Sequence, residues 1–144
     1  EYALHIVIFL AINREKAYTI EELADSLKVS KNYAAKVLRT LNTAGIIRGK
    51  PGPGGGYRLG KKPKNITFKE VVALFDSPEE AFHCLYKSRD CGYYPNCGIL
   101  THMGKGIDLF YNYLDKVTLA SVLKNVDPNG PFEKWLTPKE SNAS

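Results

Sequence analysis

Residues 2–12, YALHIVIFLAI, are apolar around the whole circumference of a helix, broken only by His5. A helix without a polar side has to be enclosed by the rest of the fold. The pattern then changes. Ile20, Leu23, Ala24 and Leu27 recur at helical spacing, predicting a short amphipathic helix over 20–27. Thr19-Ile20-Glu21-Glu22 has the form of a capping box, in which the Thr19 hydroxyl accepts from the Glu22 N–H and the Glu22 carboxylate reaches back to Thr19. After Lys28-Val29, Ser30 is placed to cap a third helix over 31–44, closed by Gly45, where left-handed backbone is favoured. Ala34, Val37, Leu38 and Leu41 form its inward stripe. Two short helices with a tight connection predict a helix-turn-helix.

The next stretch is nearly devoid of apolar side chains. Residues 48–62, RGKPGPGGGYRLGKK, hold six glycines and two prolines. Ile46-Ile47-Arg48 reads as a strand leaving the helix and Tyr57-Arg58-Leu59 as one returning. The prolines stiffen the turn between them, and the glycines permit positive φ. A β-hairpin after such a helix is a wing. Further on, Thr67 is expected to cap a helix over Phe68–Phe75, with Val71, Val72, Leu74 and Phe75 suited to burial. Over 98–117, Ile107, Phe110, Tyr111, Leu114 and Val117 form a stripe able to pack on a symmetric copy or on the chain's own core. Thr118 is placed to cap Leu119–Leu123, after which the chain turns polar. The expected architecture is mainly α with a small β wing. A winged DNA-binding unit spans 1–76, a cysteine loop 77–101, a dimerisation helix region 102–124 and a polar tail 125–144.

Charge divides the chain. Between Ser26 and Lys69 there are eleven Lys and Arg and no acid, while the nine remaining basic residues and all fifteen acids leave the rest at −6. A wholly basic block on a chain of net charge +5 suggests a polyanion partner for one region, against the blander reading of a solvated face. Asn32, Lys36 and Arg39 lie on the outer face of the third helix, with Ser30, Lys31 and Tyr33 at its start. Asn32, Tyr33 and Lys36 are placed to read base edges. Lys50, Arg58, Lys61 and Lys62 would lie along a phosphate backbone. A nucleotide-binding loop is the alternative for the glycines, but no Gly-Lys-Ser/Thr follows and no helix begins there.

The cysteines are three: Cys84, Cys91 and Cys97, with gaps of six and five residues. An odd count argues against a secreted disulfide framework and for reduced thiols in the cytoplasm. Three thiolates in one Gly- and Tyr-rich loop suit zinc or an iron–sulfur cluster. Their spacing matches neither zinc ribbons nor ferredoxin runs, so three incidental thiols stay open. Glu1 and His5 share a helix face. A solvated helix start and a core histidine are their structural readings.

EYALHIVIFLA, TIEELADSLKVSKNYAAKVLRTLNTAGII and GPGGGYRL together resemble the Rrf2 family of bacterial winged-helix repressors, over residues 1 to about 124. The resemblance implies a homodimer on a pseudo-palindromic operator. Many members carry an arginine directly before the Gly-x-Gly-Gly segment; this chain has Pro51 there, which leaves Lys50 or Arg58 to supply that cation. Cluster-binding members hold iron with three cysteines in this loop, which implies Cys84, Cys91 and Cys97 here, the first gap being one residue longer than usual. Members differ in the remaining ligands. IscR-like proteins use a histidine about three residues past the third cysteine, whereas His102 here lies five past Cys97. NsrR-like proteins use a carboxylate from the partner's first helix. RsrR-like proteins use a Glu and a His in the pattern Glu-aromatic-Ala-Leu-His, which Glu1-Tyr2-Ala3-Leu4-His5 matches. Mixed ligation favours a 2Fe–2S cluster, because two irons need four protein ligands; a 4Fe–4S cluster is the alternative. In a two-cysteine site the spare thiol is Cys84 or Cys91.

The expected function is a transcriptional repressor whose operator affinity follows the cluster's response to redox state, nitric oxide or iron. Its rivals are a cluster-free regulator working through a thiol or a protein partner, and a zinc-binding regulator. His5, His83 and His102 fall in no nucleophile or general-base constellation, which argues against an enzyme. No apolar run approaches the ~20 residues a membrane span needs.

Overall fold

The computed structural model describes residues 1–76 and 97–125. Helix α1, Tyr2–Ile12, buries Ala3 and every residue from Ile6 to Ala11. It is the axis of the core, with α2 (Ile20–Leu27), α3 (Lys31–Thr43), the wing and two later helices packed around it. That enclosure is what its all-apolar surface demands.

Local capping sets the next two helices. The Thr19 hydroxyl accepts from the Glu22 N–H at 3.2 Å and the Glu22 carboxylate accepts from the Thr19 N–H at 2.7 Å, completing the capping box. Lys28 then turns the chain with φ +54°, letting the Val29 N–H bond the Ala24 carbonyl at 3.0 Å. A non-glycine residue in this region costs about 1–2 kcal/mol, which the tight turn between α2 and α3 imposes. Ser30 caps α3 through the Tyr33 N–H at 3.2 Å. The helix ends at Thr43, one residue short of expectation. Gly45 at φ +69° and the Ile46 N–H on the Leu41 carbonyl (3.1 Å) close it.

The wing is an antiparallel pair, β1 (Ile47–Lys50) and β2 (Gly56–Leu59), in the register Ile47↔Leu59, Arg48↔Arg58, Gly49↔Tyr57 and Lys50↔Gly56. Tyr18 adds a one-residue third strand: its N–H bonds the Tyr57 carbonyl at 3.0 Å and its carbonyl receives the Tyr57 N–H at 2.7 Å. Gly56, at φ +132°, lies so close that a Cβ there would stand 2.7 Å from the Tyr18 oxygen. No sequence signal announced this bridge.

A 3-10 turn at Pro63–Asn65 leads to α4, Phe68–Val72, capped by Thr67. Here two expectations need correction. The helix stops at Val72 rather than Phe75, and the Leu74 and Phe75 N–H groups bond carbonyls three residues back. Leu74, expected inside, is 36 % exposed, because that tightened turn rotates it off the face Val71 buries. Helix α5 spans Gly98–Lys116 and α6 spans Leu119–Leu123. The chain between them returns to the winged core: the Phe68 N–H bonds the Val117 carbonyl at 2.9 Å and the Leu119 N–H the Ile66 carbonyl at 2.8 Å. Leu119 is fully buried in the same cluster as α1. The stripe on α5 therefore divides. Leu114 is buried and Ile107, Tyr111 and Val117 are half-buried, while Phe110 is 51 % exposed. Phe110 instead shares an outer face with Ile99, Met103 and Tyr113, spaced four and three residues apart through Gly106.

Candidate nucleic-acid interface and thiol site

The basic face is built on α3. Ser30, Lys31, Asn32, Tyr33, Lys36 and Arg39 are all exposed, opposite the buried Ala34, Val37, Leu38 and Leu41. They are not equally available. Lys31 forms an ion pair with Glu21 on α2. The Tyr33 ring packs edge-on against Tyr2 at 5.5 Å, leaving it 45 % exposed. Among the described residues Lys36 and Arg39 have no acidic partner. Those two are the cations this face offers without first breaking a contact.

The wing adds Lys50 and Arg58, both exposed and likewise unpaired among the described residues. It also adds Arg48, which the sequence reading left out of the interface. Arg48 stands directly across from Arg58 in the ladder. Like charges in that position repel, which favours an anion over the pair. Register is what reveals Arg48. A hollow of about 370 Å³ beside the wing is lined by Arg14, Lys16, Arg58, Lys61 and Lys62. Lys16 is held by Glu22 and Lys61 by Glu70, so the basic patch is partly neutralised at its margin.

Burial acts to raise the Glu22 carboxyl, but hydrogen bonds from Lys16 and the Thr19 N–H, with the lysine's charge, outweigh it and hold Glu22 below the usual carboxylate range. The same contact raises Lys16. A carboxyl lowered on folding contributes stability that is fully present above its unfolded value, about 4.3, and is lost as pH falls through the folded value. Glu22→Gln keeps an acceptor for the cap and removes only the charge. The variant is expected to melt below the wild type near neutral pH and to converge with it as pH falls through the folded value of Glu22, as read from melting curves across pH.

The thiol site is described in part. Cys84 and Cys91 lie outside the described residues, as does the tail beyond 125. Cys97 is half-buried at the N-cap of α5 and makes no side-chain capping bond. Glu1, exposed, and His5, half-buried, share the first turn of α1, where the His5 N–H bonds the Glu1 carbonyl at 3.2 Å. The Tyr2 ring stands edge-on to His5 at 6.3 Å as well as to Tyr33. Among the described residues of one chain, no three His, Cys, Asp or Glu converge as a metal site. His102 lies exposed on α5. Thiolate, imidazole and carboxylate are donors that suit iron.

Known proteins resemble this chain in sequence and fold. The family description "Rrf2: Iron-dependent Transcriptional regulator" matches residues 1–125. The HTH-type transcriptional regulator NsrR of Bacillus licheniformis is 32% identical over 129 residues, 88% of this chain and 90% of that protein. NsrR of Bacillus subtilis is 32% identical over 127 residues, 87% of each. Among solved structures, T. potens IscR superposes with a TM-score of 0.66 at 20% identity, covering 88% of this chain and 83% of that one. CymR, the global cysteine regulator of B. subtilis, does so with a TM-score of 0.65 at 22% identity, covering 88% and 93%. At those identities the superpositions speak for the fold alone. They agree with a mainly helical, winged-helix fold. With most of its length matched by one family description, this chain belongs to the Rrf2 family, as a transcriptional regulator and not an enzyme.

Proposed function

We propose that this regulator is a homodimeric repressor of a pseudo-palindromic operator, and that an iron–sulfur cluster held by Cys84, Cys91 and Cys97 with Glu1 and His5 of the partner controls its affinity. Lys36 and Arg39 of α3, with Asn32 and Tyr33, enter the major groove, while Lys50, Arg58 and Arg48 of the wing meet the adjoining backbone or minor groove. The exposed row Ile99, Met103, Phe110 and Tyr113 on α5 is the seam between copies. No described helix is long and apolar enough to cross a membrane.

One observation carries the regulatory half of this reading. Tyr2 touches both His5, a proposed ligand, and Tyr33, at the start of the recognition helix. When bound, the cluster supplies a redox-active anchor for the first turn of α1. Through its two ring contacts Tyr2 would link that turn to Tyr33, so that holding His5 would also bear on the start of α3. The NsrR relatives and the iron-dependent family description favour the cluster over a bare thiol sensor.

Protein purified without oxygen is expected to be brown, to contain iron and acid-labile sulfide, and to change its operator affinity at least about tenfold when the cluster is removed. Iron and sulfide assays, a visible spectrum and titration on labelled operator measure this. Colourless, metal-free protein that still binds would establish the cluster-free alternative, and stoichiometric zinc without iron would establish the zinc-binding one.

A further inference from the structure

The wing is tied to the recognition helix through one side chain. Asn42, exposed in the last turn of α3, accepts the Gly49 N–H through its side-chain oxygen at 2.9 Å. Gly49 pairs with Tyr57 in the ladder, and β1 has no strand on its other side among the described residues. An edge N–H is ordinarily left to water. Here it is claimed by a residue seven positions earlier, on a different element. The residue type is not there for the helix, since asparagine is a poorer helix former than alanine or lysine.

The surroundings make this bond decisive for direction. A Cβ on Gly49 would stand 2.8 Å from the Tyr57 ring, so the strand lies flat against that ring and a larger residue would have to displace it. The Tyr18–Tyr57 bridge holds β2 from the far side. Asn42 therefore supplies the restraint that β1 lacks, immediately before Lys50 and the Pro-Gly turn. Asn42 also lines the groove of about 830 Å³ between the wing and the start of α2.

We propose that Asn42 is a positioning residue that sets the wing against α3, so that Lys50 and Lys36 engage DNA in one register. This rests on the reading of α3 and the wing as the DNA-binding surface. A direct base contact by Asn42 is the competing role, and it differs in acting only when DNA is present.

The test begins on the full-length protein without DNA. In Asn42→Ala the Gly49 amide is expected to exchange about tenfold faster or more, while amides within α3 keep their rates. Selection from randomised duplexes should then show base preference lost on the wing side and retained at positions facing Lys36. Operator affinity should fall about fivefold, the worth of one ordinary hydrogen bond. Asn42→Asp keeps the acceptor and is expected to restore the Gly49 protection and the wing-side preference, though with weaker binding overall. Unchanged Gly49 exchange in Asn42→Ala overturns the proposal, and so does a uniform loss of preference along the site. If the wild type selects no duplex, the DNA reading fails and the register with it, while exchange in the free protein still decides whether the tie exists.

Discussion

Replacing Cys97 with alanine is expected to yield a colourless protein with iron and sulfide near zero, and with the winged core melting as it does in the wild type. The two halves of this expectation have separate causes. Cys97 sits at the N-cap of α5 but makes no side-chain capping bond, so its thiol contributes little to the start of that helix. Losing a true cap costs about 1 kcal/mol; here there is none to lose. The core cluster built on α1, α2, α3 and Leu119 does not include Cys97. The proposed cluster, in contrast, loses a thiolate from a set of very few. Neighbouring water or carboxylate does not substitute for a thiolate on iron without a visible change of spectrum. Anaerobic purification of both proteins side by side, with iron, sulfide and absorption measured, decides the matter. A variant carrying the wild-type chromophore removes Cys97 from the site.

The second large effect belongs to Lys36. Lys36→Ala is expected to weaken operator binding roughly tenfold at physiological salt, within the range for one specific contact. Alanine and lysine are both good helix formers, and Lys36 points outward, so α3 itself is left intact. Two measurements then say what the ammonium touches. If it meets phosphate, the salt dependence of log affinity falls by about one unit and all sequences lose equally. If it meets guanine, the salt slope hardly moves and discrimination at one base pair is relaxed. Lys31→Ala should cost less, because Lys31 is already engaged by Glu21 and DNA must first break that pair. An operator affinity unchanged by Lys36→Ala would falsify the assignment of this helix face.

How much of this was visible beforehand depends on how far along the chain each interaction reaches. Thr19, Ser30, Thr67 and Thr118 all cap where their sequence context put them, because a cap joins groups three residues apart. The enclosed α1, the outward basic face of α3 and the glycines at positive φ in the wing were legible for the same reason. Each follows from periodicity or from one residue's steric freedom.

What stayed hidden joins distant residues. The Tyr18–Tyr57 bridge, the Thr67–Thr118 bridge and the Asn42–Gly49 bond depend on where the chain closes on itself. The same holds for Arg48 facing Arg58, which a shift of one residue would have separated. On α5 both sides carry apolar residues, so periodicity alone could not say that Leu114 turns inward and Phe110 outward. The sequence by itself determined the winged helix-turn-helix, its charge and its chemical inventory, since these are written in local hydrogen bonds and side-chain type. Only the tertiary structure decided which cations remain unpaired among the described residues, which face of α5 is left exposed, and that Tyr2 joins the helix bearing Glu1 and His5 to α3. Those outcomes depend on packing between elements, which no short window of residues encodes.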